Sequence, residues 1–107
     1  MPRIKGRKPM RETMYRASRV CRVLANPLAY RLVREIGAGV RTPTDLSRKT
    51  TATIYAVSTS LRHLRQIDVV RYETDQNRKK YWLKHPEMLR VLGKLERVVE
   101  RMRWTQK

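Results

Sequence analysis

The residues best suited to chemistry lie in the stretch TIYAVSTSLRHL, which spans positions 53 to 64. Its apolar side chains recur at steps of three and four residues, the spacing of one buried helical face, and they are Ile54, Val57, Leu61 and Leu64. The opposite face carries side chains that donate or accept hydrogen bonds, namely Tyr55, Thr59, Arg62 and His63. Such a face is either simply solvated or contacts a partner, and the flanking segments distinguish these interpretations.

The charge balance of the chain indicates the class of partner. The 107 residues include 26 Lys and Arg against nine Asp and Glu, which gives a formal net charge of +17. This imbalance costs electrostatic self-repulsion in the folded state, and a bound polyanion relieves it. Most of the cations are arginine, whose planar guanidinium binds phosphate and guanine bidentately. The composition therefore favours a nucleic acid over an acidic protein or a membrane surface.

Other functional classes lack the residues that they need. Cys21 is the single cysteine and is accompanied by two histidines, His63 and His85, so the sequence predicts no disulfide within the chain, no metal site and no cofactor. No nucleophile–base pair, glycine-rich phosphate loop or recognisable carboxylate pair indicates an enzyme. No apolar run approaches the roughly 18–20 residues that span a bilayer, and the N-terminus has no apolar signal region. We therefore expect a soluble cytoplasmic, nucleoid-associated protein that is not an enzyme and has no membrane partner.

The segment before the opening stretch predicts a helix-turn-helix. Thr42 is placed to cap a helix, Pro43 suits the first helical position, and Asp45 is expected to reach back as in a capping box. This short helix is predicted to run to about residue 49, and a polar connection leads into the helix of residues 53–66. Two helices joined by so tight a turn are typical of a helix-turn-helix, here residues 43–66.

The segment after the opening stretch predicts a β-hairpin over residues 69–83, called the wing below. In this segment the spacing of apolar residues changes from the helical period to alternation, with strands predicted on either side of a turn at residues 75–77. Asp68 is expected to adopt a left-handed conformation at the corner between helix and strand. Tyr81 and Trp82 lie near the base of the wing, and at least one of them is expected to join the core.

The remaining segments complete one mainly α domain with a small β-hairpin, an α+β winged helix-turn-helix. Residues 1–11 form a basic arm, which either follows a DNA backbone or serves as a solubilising tail. Helices are predicted over residues 12–25 and from Pro27 to about Ile36, the second capped by Asn26. A long helix spans residues 86–104, so that the domain covers residues 12–104 and residues 105–107 form a tail.

The first and last helices carry more apolar surface than the central core can cover. That core is expected to contain Leu28, Leu32, Ile36, Leu46, Ile54, Val57, Leu61, Leu64 and Ile67. Two heptad-like seams remain, formed by Met14, Ala17, Cys21 and Leu24 and by Met88, Leu92, Leu95, Val99 and Met102. The seams either fold back on their own domain or, as we predict, meet a second chain in a homodimer, because exposed they would form an unusually large apolar patch. Cys21 is expected to be a small buried residue, with a redox role as the alternative.

The order of these elements resembles the winged-helix regulators of the ArsR type over residues 22–83. The similar segments are LANPLAYRLVREI from residue 24, TDL from residue 44, VSTSLRHLR from residue 57 and DVV from residue 68, followed by the basic hairpin. Small archaeal and archaeal-virus winged-helix regulators look similar as well. The resemblance implies a dimeric transcriptional regulator, held together by its first and last helices, that binds a two-fold related operator.

The sequence departs from the metal-sensing members of that family. Many ArsR-type proteins bind metals through a cysteine cluster or through histidine and carboxylate pairs on the last helix. This chain has no cysteine pair near Leu46, and its last helix has Glu96 and Glu100 but no histidine beyond His85 at its start. Metal sensing is therefore not expected.

The predicted binding mode places the 53–66 helix in a major groove of double-stranded DNA and the wing on the backbone or the adjacent minor groove. The candidate contacts are Arg48, Lys49, Thr51, Thr53, Tyr55, Ala56, Thr59, Arg62, His63, Arg71, Arg78, Lys79 and Lys80. Arg62 is the best candidate for guanine, and the two threonines at the start of the helix are expected to bind phosphate. The alternative is a chromatin-type architectural protein of low sequence specificity. An RNA-binding winged helix and a protein–protein adaptor explain the seams and the charge less well.

Overall fold

A computed structural model describes residues 11–103. The chain forms helices α1 (Glu12–Leu24), α2 (Pro27–Gly37), α3 (Pro43–Thr50) and α4 (Ile54–Gln66), strands β1 (Val70–Asp75) and β2 (Arg78–Leu83), and helix α5 (Met88–Arg101). The mainly α class with one antiparallel hairpin is confirmed, and the bounds differ from the predicted ones by at most three residues. The basic arm before Arg11, Trp104 and the tail lie outside the described residues.

Side-chain caps start three of the helices. The Asn26 side chain accepts hydrogen bonds from the backbone N–H groups of Leu28 and Ala29, at 2.9 and 3.1 Å, and Pro27 occupies the first turn as predicted. The Thr42 hydroxyl accepts from the N–H of Asp45 at 3.2 Å. The Asp45 carboxylate does not reach back as expected, because it pairs instead with Arg48 one turn later, at 3.2 Å.

The core lies between α2, α3, α4 and the base of the hairpin. Its buried apolar residues are Ala29, Leu32, Val33, Ile36, Leu46, Val57, Leu61, Leu64, Val69, Val70, Tyr81, Leu83 and Leu92. Leu28 and Ile67 pack against this core without being fully buried. Ile54 was expected in the core but is 47% exposed. It is the first residue of α4, and helical side chains tilt toward the N-terminus, so Ile54 leans past the end of the packed helix.

The hairpin is joined to the domain at its base and turns tightly at its tip. Val70 pairs with Leu83 and Asp75 with Arg78 in the antiparallel register. The backbone N–H of Tyr81 donates to the carbonyl of Arg41 at 2.9 Å, which ties β2 to the segment before α3. Tyr81 is 6% exposed, so the prediction that one of the two wing aromatics joins the core is confirmed, whereas Trp82 is partly exposed.

The corner between α4 and β1 depends on Asp68, whose φ of 67° confirms the predicted left-handed conformation. Its carboxylate accepts hydrogen bonds from Lys84 Nζ at 2.9 Å and from Arg71 Nε at 3.2 Å. Lys84 first, and then Arg71, lower the pKa of Asp68 below its ordinary value. This residue therefore links the end of α4 to β1 and to the residue that follows β2.

Helix α5 returns across the domain and packs against α2. Leu92 enters the core, and Leu89 lies so close to Gly37 that a Cβ added there would stand 2.6 Å from a Leu89 methyl carbon. Beside this contact, the Glu96 carboxylate accepts hydrogen bonds from Tyr30 Oη and from Arg34 Nε, the latter at 3.1 Å. Among residues 11–103, no helix is long and apolar enough to cross a membrane.

The wing turn offers a direct test of the hairpin geometry. Gln76 and Asn77 have φ values of 52° and 63°, the pattern of a type I′ turn, for which Asn-Gly is the preferred sequence. Replacing Gln76-Asn77 by Asn-Gly is expected to raise the free energy of unfolding by about 1 kcal/mol, because glycine adopts positive φ without the cost that other L-residues bear. Urea unfolding measures the change. Asn77→Val should lower stability, and equal stability of the three proteins would contradict this turn assignment.

The contact between α2 and α5 predicts a pH dependence of stability. Arg34 first, and then Tyr30, hold the pKa of the Glu96 carboxyl below its ordinary value of 4.5. The ionised carboxylate therefore stabilises the fold above that value, and the stabilisation is lost as the pH falls through the lowered pKa of the folded state. Glu96→Gln is expected to be less stable than the wild type at pH 7, and the difference should shrink below about pH 5.

Urea unfolding at pH 7, 5, 4 and 3 measures this difference. Glu100→Gln is the matched control, because Glu100 is exposed on the same helix and has no ion pair within the described residues. A Glu96→Gln difference that stays constant from pH 7 to pH 3 would contradict the assigned role.

Candidate nucleic-acid interface

The connection between α3 and α4 fixes the angle of the helix-turn-helix. Thr51 ends α3 with a left-handed φ of 56°, and the Ser47 hydroxyl donates to the carbonyl of Ala52 at 2.5 Å. The guanidinium of Arg31, on α2, donates to the carbonyl of Lys49 at 2.8 Å. These bonds hold a three-residue connection in one conformation, so that α4 starts in a defined direction.

Helix α4 has one buried and one exposed face. Val57, Ser60, Leu61 and Leu64 are buried. The predicted contact residues Tyr55, Arg62 and His63 are exposed, with Tyr55 at 81%, whereas Ala56 and Thr59 are half-buried. The exposed face therefore presents a phenol, a guanidinium and an imidazole, which can hydrogen-bond to base edges or phosphates.

Four exposed residues on this helix were missing from the predicted contacts, namely Ile54, Ser58, Arg65 and Gln66. Ser58 and Gln66 are exposed and lie three or four residues from Tyr55 and Arg62, so helical spacing alone could have identified them. Ile54 was missed because its apolar character assigned it to the core. An exposed isoleucine at the start of this helix can contact the methyl group of thymine.

The two threonines at the start of α4 already make hydrogen bonds within the chain. The Thr53 hydroxyl accepts from the backbone N–H of Ala56 at 3.0 Å and so caps α4. The Thr51 hydroxyl donates to the carbonyl of Thr50 at 2.6 Å. Thr53 can still donate its hydroxyl hydrogen to a phosphate, while the proton of Thr51 is committed in this conformation.

The predicted cations differ in how far they are neutralised. Arg48 pairs with Asp45 and Arg71 with Asp68, both at 3.2 Å, and Lys80 pairs with Asp75 at 2.9 Å. Such exposed pairs are worth little and exchange readily for other anions. A second set forms no hydrogen bond through its side chain and no ion pair with residues 11–103: Lys49, Arg62, Arg78 and Lys79, the last of which lies over the Tyr72 ring.

The hairpin separates its cations onto two faces. Successive strand residues point to opposite sides, so Tyr72, Lys79 and Tyr81 share the side of the buried residues. Arg71, Arg78 and Lys80 are on the other side. The structure thus brings Lys79 toward α4 and directs the other three predicted wing cations away from it.

A second surface is formed by exposed apolar residues on α5 and α1. On α5 the exposed apolar residues Val91, Leu95 and Val98 follow steps of four and three, and the exposed Met102 comes directly after the helix. On α1, Met14 is 53% exposed, and Ala17 and Cys21 are exposed as well. Cys21 is exposed in the single chain, because α1 contacts the core through Val20, Val23 and Leu24 instead, and its burial in a homodimer stays a prediction.

This surface differs from the predicted seams in several positions. Leu92 belongs to the core of its own chain, and Met88 and Leu24 pack against that core, so these three face their own domain. Val99 is half-buried. Val91 and Val98 were missed because α5 carries two overlapping apolar stripes of heptad spacing, and the spacing alone does not tell which stripe faces the core.

Comparison with solved structures identifies the fold, whereas no family model and no curated protein matches the sequence. A homodimeric winged helix-turn-helix DNA-binding domain from Mycobacterium bovis, of a proposed ArsR-family regulator, superposes with a TM-score of 0.75 at 17% identity and covers 91% of both chains. HlyU from Vibrio cholerae gives a TM-score of 0.74 at 19% identity, covering 83% of this chain and 97% of its own. The structural neighbours are thus winged helix-turn-helix regulators of the ArsR type, as the sequence resemblance implied.

A third neighbour is a metal sensor. The cadmium sensor CMTR from Mycobacterium tuberculosis is 29% identical, with a TM-score of 0.66 over 84% of this chain and 94% of its own. Within residues 11–103 of the present chain, the structure contains no group of three His, Cys, Asp or Glu side chains that could hold a metal ion.

Proposed function

We propose that the protein is a homodimeric transcriptional regulator that binds double-stranded DNA with α4 in the major groove. The observation that carries this proposal is the exposed face of α4, where Tyr55 and Arg62 project from a helix whose other face is buried. A major groove of B-DNA is about 12 Å wide and admits one such helix, and arginine reads guanine through its O6 and N7 atoms. The shared fold with DNA-binding regulators supports the same assignment.

The positive charge supports contacts on both sides of α4. Arg48 and Lys49 lie in the last turn of α3, and the hairpin carries Arg78 and Lys80 near its tip. With α4 in a major groove, α3 lies over one flanking backbone and the hairpin over the other or over the adjacent minor groove. The carboxylates that pair with Arg48 and Lys80 are exposed, so phosphates can replace them at small cost.

The exposed apolar stripe on α5, with Met14, Ala17 and Cys21 of α1, is proposed as the dimer interface. Several of these apolar side chains are about half exposed in one chain. Each Å² of their surface that a partner buries stabilises the dimer by about 25 cal/mol of free energy. No residue of α1 is fully buried within its own chain, so this helix gains most from a second copy. A two-fold axis through this surface would present two α4 helices to one face of a duplex.

An architectural protein of low sequence specificity is the second candidate, favoured by the net charge of +17. Charge neutralisation alone binds any duplex at low salt, whereas specific contacts survive at higher salt. Competition by unrelated DNA at about 0.15–0.2 M salt separates the two candidates. A regulator retains one preferred site, whereas an architectural protein is displaced from all sites together.

The proposal does not include metal sensing. The proposed location of the protein is the cytoplasm, in association with the nucleoid.

Arg62 tests the major-groove contact. After selection of a preferred duplex from random sequences, Arg62→Ala is expected to weaken binding by about 1–3 kcal/mol, roughly 5- to 150-fold, because a guanine or phosphate contact is lost. Fluorescence anisotropy at 0.15 M salt measures this loss. Arg90→Ala is the matched control, since Arg90 is exposed on α5 away from the helix-turn-helix. Equal affinities of the two variants would contradict the proposed role of α4.

Leu95 tests the dimer. Leu95→Glu is expected to convert the protein to a folded monomer at micromolar concentration, because two carboxylates would be buried close to the two-fold axis. Arg90→Glu is the control, since it introduces the same side chain outside the apolar stripe. Sedimentation velocity distinguishes the states, and circular dichroism verifies folding. A wild type that sediments as a monomer at micromolar concentration would disprove the dimer. DNA binding by the single chain is then measured separately, by fluorescence anisotropy.

A further inference from the structure

The angle between α4 and the hairpin brings two cations to one aromatic ring. The guanidinium carbon of Arg65, on α4, lies 5.2 Å from the centroid of the Tyr72 ring, and Lys79 Nζ, on β2, lies 4.8 Å from the same centroid. The Tyr81 ring is tilted against Tyr72 at a centroid distance of 5.2 Å and is itself buried. Tyr81 thus supports the ring that the two cations share.

The charge at this ring is not balanced within the described part of the chain. Neither Arg65 nor Lys79 forms an ion pair with a carboxylate of residues 11–103, whereas the neighbouring Lys80 is paired with Asp75. Attraction by the ring face is worth about 0.5–1 kcal/mol for an exposed cation. Because the two charged centres lie 5.2 and 4.8 Å from one centroid, they are at most about 10 Å apart, and an anion that contacts both would relieve their mutual repulsion.

We propose that Arg65 and Lys79 form a seat for one backbone phosphate of DNA and that Tyr72 is the positioning residue that holds both cations. The proposal rests on the proposed function. If α4 occupies a major groove and the hairpin lies on the adjacent minor groove, the DNA backbone between the two grooves runs past the corner formed by α4 and the hairpin, where Arg65 and Lys79 lie. A phosphate there accepts charge-assisted hydrogen bonds from both cations at once.

The seat explains why one wing cation differs from the others. Lys79 is on the hairpin face that points toward α4, and Arg71, Arg78 and Lys80 are on the opposite face. Holding Arg65 and Lys79 before DNA arrives reduces the side-chain entropy that is lost on binding. Arg65 was absent from the predicted contacts because its distance from Tyr72 depends on how the hairpin packs against α4.

The dependence of affinity on salt measures the number of phosphates that the protein neutralises. Arg65→Gln and Lys79→Gln are each expected to lower the slope of log K against log salt by about 0.9, the value for one phosphate. The double variant should lose little more than either single variant, because both cations serve the same phosphate. Two independent phosphate contacts would instead lower the slope by about 1.8. Arg90→Gln is the matched control, since Arg90 is an exposed cation on α5, outside the helix-turn-helix and the hairpin.

Tyr72 is tested by two substitutions. Tyr72→Phe keeps the ring and is expected to retain the wild-type slope. Tyr72→Leu removes the ring and should raise Kd by about three- to fivefold at 0.15 M salt, since the two cations are no longer held in place before DNA binds. Urea unfolding verifies that both variants are folded at the binding temperature. Combining Tyr72→Leu with Arg65→Gln tests whether the ring acts through the cation. In the Arg65→Gln protein, Tyr72→Leu should lower the affinity for DNA by less than it does in the wild type.

The outcomes separate this proposal from the function on which it rests. If the wild type binds no duplex, the proposed function fails and the seat fails with it. If the wild type binds duplex but Arg65→Gln and Lys79→Gln behave like Arg90→Gln, the seat alone is disproved. Slope losses that add in the double variant would also disprove a shared phosphate. A single methylphosphonate in the duplex that removes the difference between wild type and Arg65→Gln would identify the bound phosphate.

Discussion

The arrangement of the whole domain depends on the burial of the inner face of α4. Val57, Leu61 and Leu64 have no exposed surface, and fully burying such side chains contributes about 1.5–3 kcal/mol each. Rotating α4 about its axis would expose them, so packing against α2 and α3 sets which residues face outward. The orientation of Tyr55 and Arg62 is therefore a consequence of the core, and it requires no contact of their own with the rest of the domain.

The hairpin takes its position from the same core. Val69, Val70 and Leu83 are buried in the core, and the backbone bond from Tyr81 to Arg41 ties β2 to the start of the helix-turn-helix. Asp68 turns the chain sharply between α4 and β1. Because both ends of the hairpin are anchored, its angle to α4 is defined, and the ring of Tyr72 lies at that angle with a cation from each element.

The half-exposed apolar side chains Val91, Leu95 and Val98 form a stripe on α5, a helix that also carries exposed cations such as Arg90. Cations without an ion pair in the described part of the chain accompany α3, α4 and the hairpin as well. Glu96 connects α5 to α2 through Tyr30 and Arg34, so the helix with the apolar stripe is tied directly to the central core. The apolar stripe on α5 and the exposed face of α4 are therefore held at a fixed orientation to each other by the same core.

Local signals in the sequence determined the element order, the caps at Asn26 and Thr42 and the left-handed Asp68, because each of these depends on interactions within about four residues. The polar face of α4 followed from helical spacing in the same way. The exposure of Ile54, the assignment of Leu92 to the core and Leu95 to the surface, and the meeting of Arg65, Tyr72 and Lys79 were decided by the tertiary structure. Each depends on how segments distant in the chain pack together, and a period of three and four residues is the same whichever side of a helix the neighbouring element covers.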